Sequence, residues 1–130
     1  MIFLMLGILL ETLHGVKAAY YLDTRNVTRR LMWTLAHTHG TLFSLVHIAF
    51  AVSVGRIAVS SEGCLRVASR GMTGALVLMP AGFFLGGLQF HGGDPGVGVF
   101  LVPIGGLLML LGTGSLLWGL LRRRGNEQGH

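Results

Sequence analysis

Apolar residues fall into four long runs, and each run is long enough to predict a helix that crosses a bilayer. The first predicted span covers residues 2–20 and carries Glu11, His14 and Lys17 in its second half. Residues 23–30 read as a polar turn, and the second span, residues 31–59, starts beside Trp33 as an interfacial anchor. A loop over 60–70 leads to the third span, residues 71–90. His91-Gly92-Gly93-Asp94-Pro95-Gly96 then reads as a tight turn of the kind Gly and Pro punctuate. The fourth span, residues 97–121, ends at Trp118 and the Arg122-Arg123-Arg124 stop, leaving 122–130 as a polar tail. The predicted fold is therefore all-α, an integral membrane four-helix bundle forming one domain over residues 1–121. A secretory signal peptide is the competing reading of the first run. It lacks a basic region before the apolar stretch and an Ala-x-Ala-like site before Lys17.

Composition agrees with lipid as the solvent. Only 12% of residues are charged against 52% hydrophobic, and the mean hydropathy is +0.67. That charged fraction is about half the usual value for a soluble domain. A lone cysteine, Cys64, excludes an internal disulfide framework. The net charge of +5 does not point to nucleic acid, because the basic residues flank apolar runs. Arg56, Arg66, Arg70 and Arg122 to Arg124 lie on one side of the predicted topology, and Lys17, Arg25, Arg29 and Arg30 on the other. The positive-inside rule then places both termini in the cytoplasm and predicts a multi-pass protein of the cell inner membrane. Among the 21 glycines, Gly82, Gly86, Gly87, Gly105, Gly106, Gly112 and Gly114 line the last two spans, as close helix packing in lipid requires. Pro80 and Pro103 are candidate kink sites.

Ionisable groups at membrane depth carry the chemistry. His14, His37 and His39 fall about 9 to 12 Å below the predicted external surface, at 1.5 Å rise per residue, and His91 caps the third span. His37 and His39 stand two apart, so they point about 200° apart on a helix. One metal ion cannot easily take both from a regular helix, and the spacing suits two centres or two different neighbours. Small or polar residues around His37 leave room for a flat macrocycle or another helix. His47 lies two turns deeper than His39 on the face that His39 begins, away from His37. Glu11, His14 and Lys17 share a predicted face of the first helix, where Glu11 serves to orient an imidazole or handle protons. Glu-x-x-His, the unit of di-iron bundles, occurs there once, so a di-iron site in one subunit lacks its second half. Methionines are dispersed, leaving imidazole as the ligand type, which suits haem iron, copper or zinc. In an apolar span, haem b is the expected cofactor, with His37, His39, His14 and His91 as candidate ligands and copper as the alternative on His37 and His39.

The stretch Trp33-Thr34-Leu35-Ala36-His37-Thr38-His39-Gly40-Thr41-Leu42 resembles the histidine-bearing helices of the haem-copper oxidase catalytic subunit. In that family such helices run from outside to inside and supply axial haem ligands near the outer surface. The resemblance implies that His37 and His39 each reach a different cofactor or interface. It also implies assembly, since three four-helix chains reproduce the family's twelve helices in a homotrimer. There is no His-Pro-Glu-Val-Tyr stretch and no adjacent His-His pair, so the family's copper centre and cross-linked tyrosine have no matching residues.

The expected function is electron transfer by a membrane haem b protein that forms a homo-oligomer and meets a redox partner or quinol. Two other classes stay open. One is an accessory or assembly subunit whose histidines bind copper or zinc, or only bond between helices. The other is a small proton-coupled transporter with Glu11, His14, Lys17 and His47 as its relay. Phosphate-binding loops, zinc-protease helices, serine elbows and a Cys-x-x-Cys-His site are all missing from the sequence.

Overall fold

A computed structural model describes residues 2–22, 27–54 and 62–128, with the side chains of 22, 90, 91 and 126–128 outside that description. The elements in order are α1 (Ile2–Gly15), α2 (Ala19–Leu22), α3 (Val27–Val54), α4 (Glu62–Leu88), β1 (Phe90–His91), β2 (Asp94–Pro95), a 3-10 turn (Val97–Phe100) and α5 (Leu101–Gln128). Among the described residues, three helices are long and apolar enough to cross a membrane, α3, α4 and the continuous stretch Val97–Gly125. This is an all-α membrane-type protein.

The first predicted span is not one of those three. α1 has 14 residues, a length of about 21 Å, against the ~30 Å of a bilayer core. Local chemistry ends it. Ala18 N–H donates to the Leu13 carbonyl and Lys17 N–H to the His14 carbonyl, at 3.0 and 3.1 Å. These two bonds, with Lys17 at φ +51°, define a Schellman cap. Leu13 and Ala18 then pack on the same apolar cluster, which supplies the motif's hydrophobic contact. Lys17 therefore does not continue the helical face of Glu11 and His14.

Several other boundaries move: the starts of α3 and α4 and the end of α5 extend beyond the predicted spans, while α4 ends at Leu88 and α5 begins at Leu101, inside them. α3 begins at Val27 inside the predicted turn and is described to Val54, so the predicted residues 55–59 lie outside the described residues, as do Arg25, Arg56 and His130. α4 begins at Glu62, well before residue 71, with an acid in its first turn to meet the helix dipole. α5 runs through the three arginines instead of stopping there. The His91–Pro95 turn holds as predicted, closing a two-residue antiparallel ladder between Phe90 and Pro95 and between His91 and Asp94. Gly92 and Gly93 take φ of +62° and +97°, the pair of left-handed positions a tight hairpin needs.

The main contacts run α1 to α3, α3 to α4, and α4 to α5. Each rests on small residues. An added Cβ at Gly7 would stand 2.5 Å from His37 Cε1, so α1 crosses α3 at bare backbone. Along the antiparallel α4–α5 seam, a Cβ on Gly112 would meet Ala68 O and Met72 N at 3.0 Å. Ser115 Oγ donates across the same seam to the Cys64 carbonyl at 3.1 Å. Met32, Ala36 and Phe83 bury one another between α3 and α4. Outer faces carry exposed Leu107, Leu110 and Ile48, a pattern that fits a lipid solvent.

Candidate functional site

His37 and His39 lie on α3 and turn to different neighbours, as their two-residue spacing requires. The His37 ring packs over Gly7 of α1, and its Nδ1 lies 2.8 Å from the Phe3 carbonyl oxygen. Thr41 Oγ1 stands 3.5 Å from the same nitrogen. The face predicted to admit a macrocycle or another helix is thus approached by a helix, α1. His39 sits against α4, with its ring centroid 4.9 Å from that of Phe83 and 6.1 Å from that of Phe43. Its Nδ1 lies 2.9 Å from the Leu35 carbonyl oxygen.

A carbonyl only accepts, so Nδ1 of each ring carries the proton. In the neutral imidazole that leaves Nε2 with its lone pair. This is the tautomer a metal-binding histidine shows when a backbone carbonyl holds its other nitrogen.

A cleft of about 450 Å³ opens where α1 and α3 diverge, lined by Leu4, Gly7, Ile8, Glu11, Tyr21, Thr34 and His37 among others. Its size falls within the range of small-molecule sites. A second cleft of about 380 Å³ shares Tyr21 and Thr34 and adds His14 and Arg30. Arg30, Thr34 and His37 follow one another at helical spacing on α3, so they form a single strip. The structure thereby brings Glu11 and His37 to one cavity and His14 to the adjoining one.

The remaining candidates lie apart. Lys17 is exposed in the cap after α1. His47 tilts against Phe50, and its Nδ1 is buried without a hydrogen-bond partner among the described residues. The backbone of His91 belongs to β1, and its side chain lies outside the described residues. Also among the described residues, no three His, Cys, Asp or Glu side chains converge as a metal centre.

Sequence reasoning missed the aromatic lock above this cleft. Trp33, read from sequence as an interfacial anchor, is buried, 5.6 Å from Phe84 and 6.3 Å from Tyr21 between ring centroids. Its Nε1–H donates to the Phe84 carbonyl at 3.2 Å. Arg29, counted from sequence as a flanking charge, is buried with its guanidinium 3.7 Å from the Tyr20 ring centroid. Its Nε donates to the Gly87 carbonyl and its Nη1 to the Tyr20 carbonyl, each at 3.2 Å. One side chain thus ties α2, α3 and the last turn of α4 together. The signal available was the pair Tyr20-Tyr21 facing Arg29 and Trp33 across a short turn.

Comparison with protein-family models, with curated proteins and with solved structures finds no match for this chain.

Proposed function

We propose that this chain is an integral membrane protein that binds haem b through imidazole and transfers electrons. One observation carries the reading. Both His37 and His39 commit Nδ1 to a backbone carbonyl and so present Nε2 as a ligand atom. His37 would hold the cofactor at the α1–α3 cleft, and His39 would serve a second centre on the α4 side. When bound, haem b supplies one-electron redox chemistry. The chain's own part is to fix the imidazoles, line the cavity with Leu4 and Ile8, and set Glu11 beside His37 as a proton-holding group. Glu11 is exposed on α1, and a carboxylate facing lipid is costly. That cost supports assembly of several copies in the cell inner membrane, with the cleft covered by a neighbour.

Titration of haem into detergent-purified protein tests the assignment. His37→Ala is expected to abolish the site at the α1–α3 cleft, and His39→Ala to abolish the other. Full haem absorbance in both variants would overturn the ligand assignment.

A second reading draws on the shared cleft of Glu11 and His37, which favours proton coupling. It predicts pH-driven transport in vesicles that Glu11→Gln abolishes without changing any haem spectrum. Lys17 and His47 take no part in lining that cleft.

A further inference from the structure

Glu11 of α1 and Arg30 of α3 are opposite charges on one exposed side of the molecule, yet within a single chain they stay apart. Glu11 lines the cleft where α1 diverges from α3, together with Leu4 and Ile8, and Arg30 takes no part in that cleft. Arg30 lines the adjoining cleft with His14, Val27 and Leu31, from which Glu11 is missing. Tyr21 and Thr34 belong to both. Both charged side chains are exposed, and among the described residues neither makes a hydrogen bond or an ion pair.

Their surroundings make that arrangement costly. Leu4, Ile8, Val27 and Leu31 around them are exposed at 53, 63, 54 and 52%, so this face has lipid as its solvent. Charges at membrane depth are retained where they meet a partner or water. Thr34, which borders both clefts, stands one turn along α3 from Arg30, about 6 Å. Glu11 and Arg30 therefore differ in depth by about one helical turn, a gap that an arginine side chain covers.

We infer that two copies of this chain pack these faces together about a two-fold axis, with Glu11 of each copy meeting Arg30 of the other. A two-fold contact must be complementary to itself. A face that carries one acid and one base among apolar side chains meets that condition, and each dimer gains two ion pairs and covers both α1–α3 clefts. Arginine suits the role because its planar donor fork matches a carboxylate. The pairing rests on the assembly proposed above and not on haem.

The test follows the mass of the full-length protein in detergent, with its absorption spectrum recorded separately, so that the dimer and the haem reading fail independently. Wild type is expected to be a dimer. Glu11→Arg and Arg30→Glu, made singly, bring like charges together and are expected to be monomeric. Co-expressed, these two variants are expected to form a mixed dimer, because each chain supplies the charges that the other needs. Glu11→Gln is expected to weaken the dimer about tenfold through the loss of two interhelical contacts. Arg30→Lys keeps the charge, and a zero-length carbodiimide is expected to join its amine to Glu11 of the other copy at dimer mass. A monomeric wild type, single charge reversals that stay dimeric, or trimers would overturn the two-fold pairing. A carbodiimide link found only at monomer mass would place the ion pair within one chain and overturn it as well.

Discussion

The Nδ1 of His37 and the carbonyl oxygen of Phe3 stand 2.8 Å apart across the α1–α3 contact. That bond does two things at once. It ties a short helix to a long one, and it fixes which nitrogen of the ring is left for a ligand. A neutral hydrogen bond contributes only about 1 kcal/mol net, so its larger effect is on orientation.

Gly7 permits that approach, and the position tolerates nothing larger. A Cβ would stand 2.5 Å from His37 Cε1, 2.9 Å from Nδ1 and 3.0 Å from Nε2. Gly7→Val is expected to push the ring away, cost about 1 to 3 kcal/mol and break the bond to Phe3. Denaturant titration in detergent reads the stability. Imidazole NMR shifts read the ring.

Lys17 occupies the left-handed position of the Schellman cap, where glycine is usual. Lys17→Gly is expected to raise stability by about 1 kcal/mol, the strain a side chain carries there. If Lys17 were instead a relay group, the same change would abolish proton-coupled activity. Thermal unfolding and vesicle proton flux separate the two.

Arg29→Leu leaves the Gly87 and Tyr20 carbonyls without their donor and removes the stack on Tyr20. The expected loss is about 3 kcal/mol, as when a satisfied buried charge is removed from its network. Arg29→Lys is expected to recover only part, because an ammonium does not reproduce the guanidinium fork or its stacking. Tryptophan fluorescence of Trp33, packed in the same cluster, follows the loosening.

Gly112→Leu forces a side chain against Ala68 O and Met72 N, both backbone atoms at 3.0 Å. Backbone in a helix cannot yield as a side chain does. The α4–α5 hairpin is expected to separate, with a loss of at least about 2 kcal/mol. Gly114, with nothing within 4 Å of its Cβ position, is the control, and Gly114→Ala is expected to be neutral or slightly stabilising. Cross-linking of Ser115→Cys to the native Cys64, whose carbonyl the Ser115 hydroxyl meets at 3.1 Å, checks the hairpin.

The sequence announced the membrane class, three of the four predicted spans as long apolar helices, and the hairpin at Gly92-Gly93, because hydropathy and glycine act locally. It also predicted that His37 and His39 face apart, since helical geometry alone decides that. The early end of α1 was hidden, because a Schellman cap formed on lysine carries no glycine to announce it. The burial of Arg29 and Trp33 was legible only in part, through the nearby Tyr20-Tyr21 pair. Their partners, Gly87 and Phe84, are more than fifty residues away, and no local pattern encodes such pairs. The common depth of His14 and His37 was legible in the sequence, whereas the cleft that Glu11 shares with His37 was not, because it depends on where α1 crosses α3.

The central claim rests most directly on the reduced-minus-oxidised absorption spectrum of the full-length protein, purified in detergent after expression with ample haem. The account predicts sharp b-type bands in the reduced state that His37→Ala diminishes. A featureless spectrum from folded wild-type protein would contradict it.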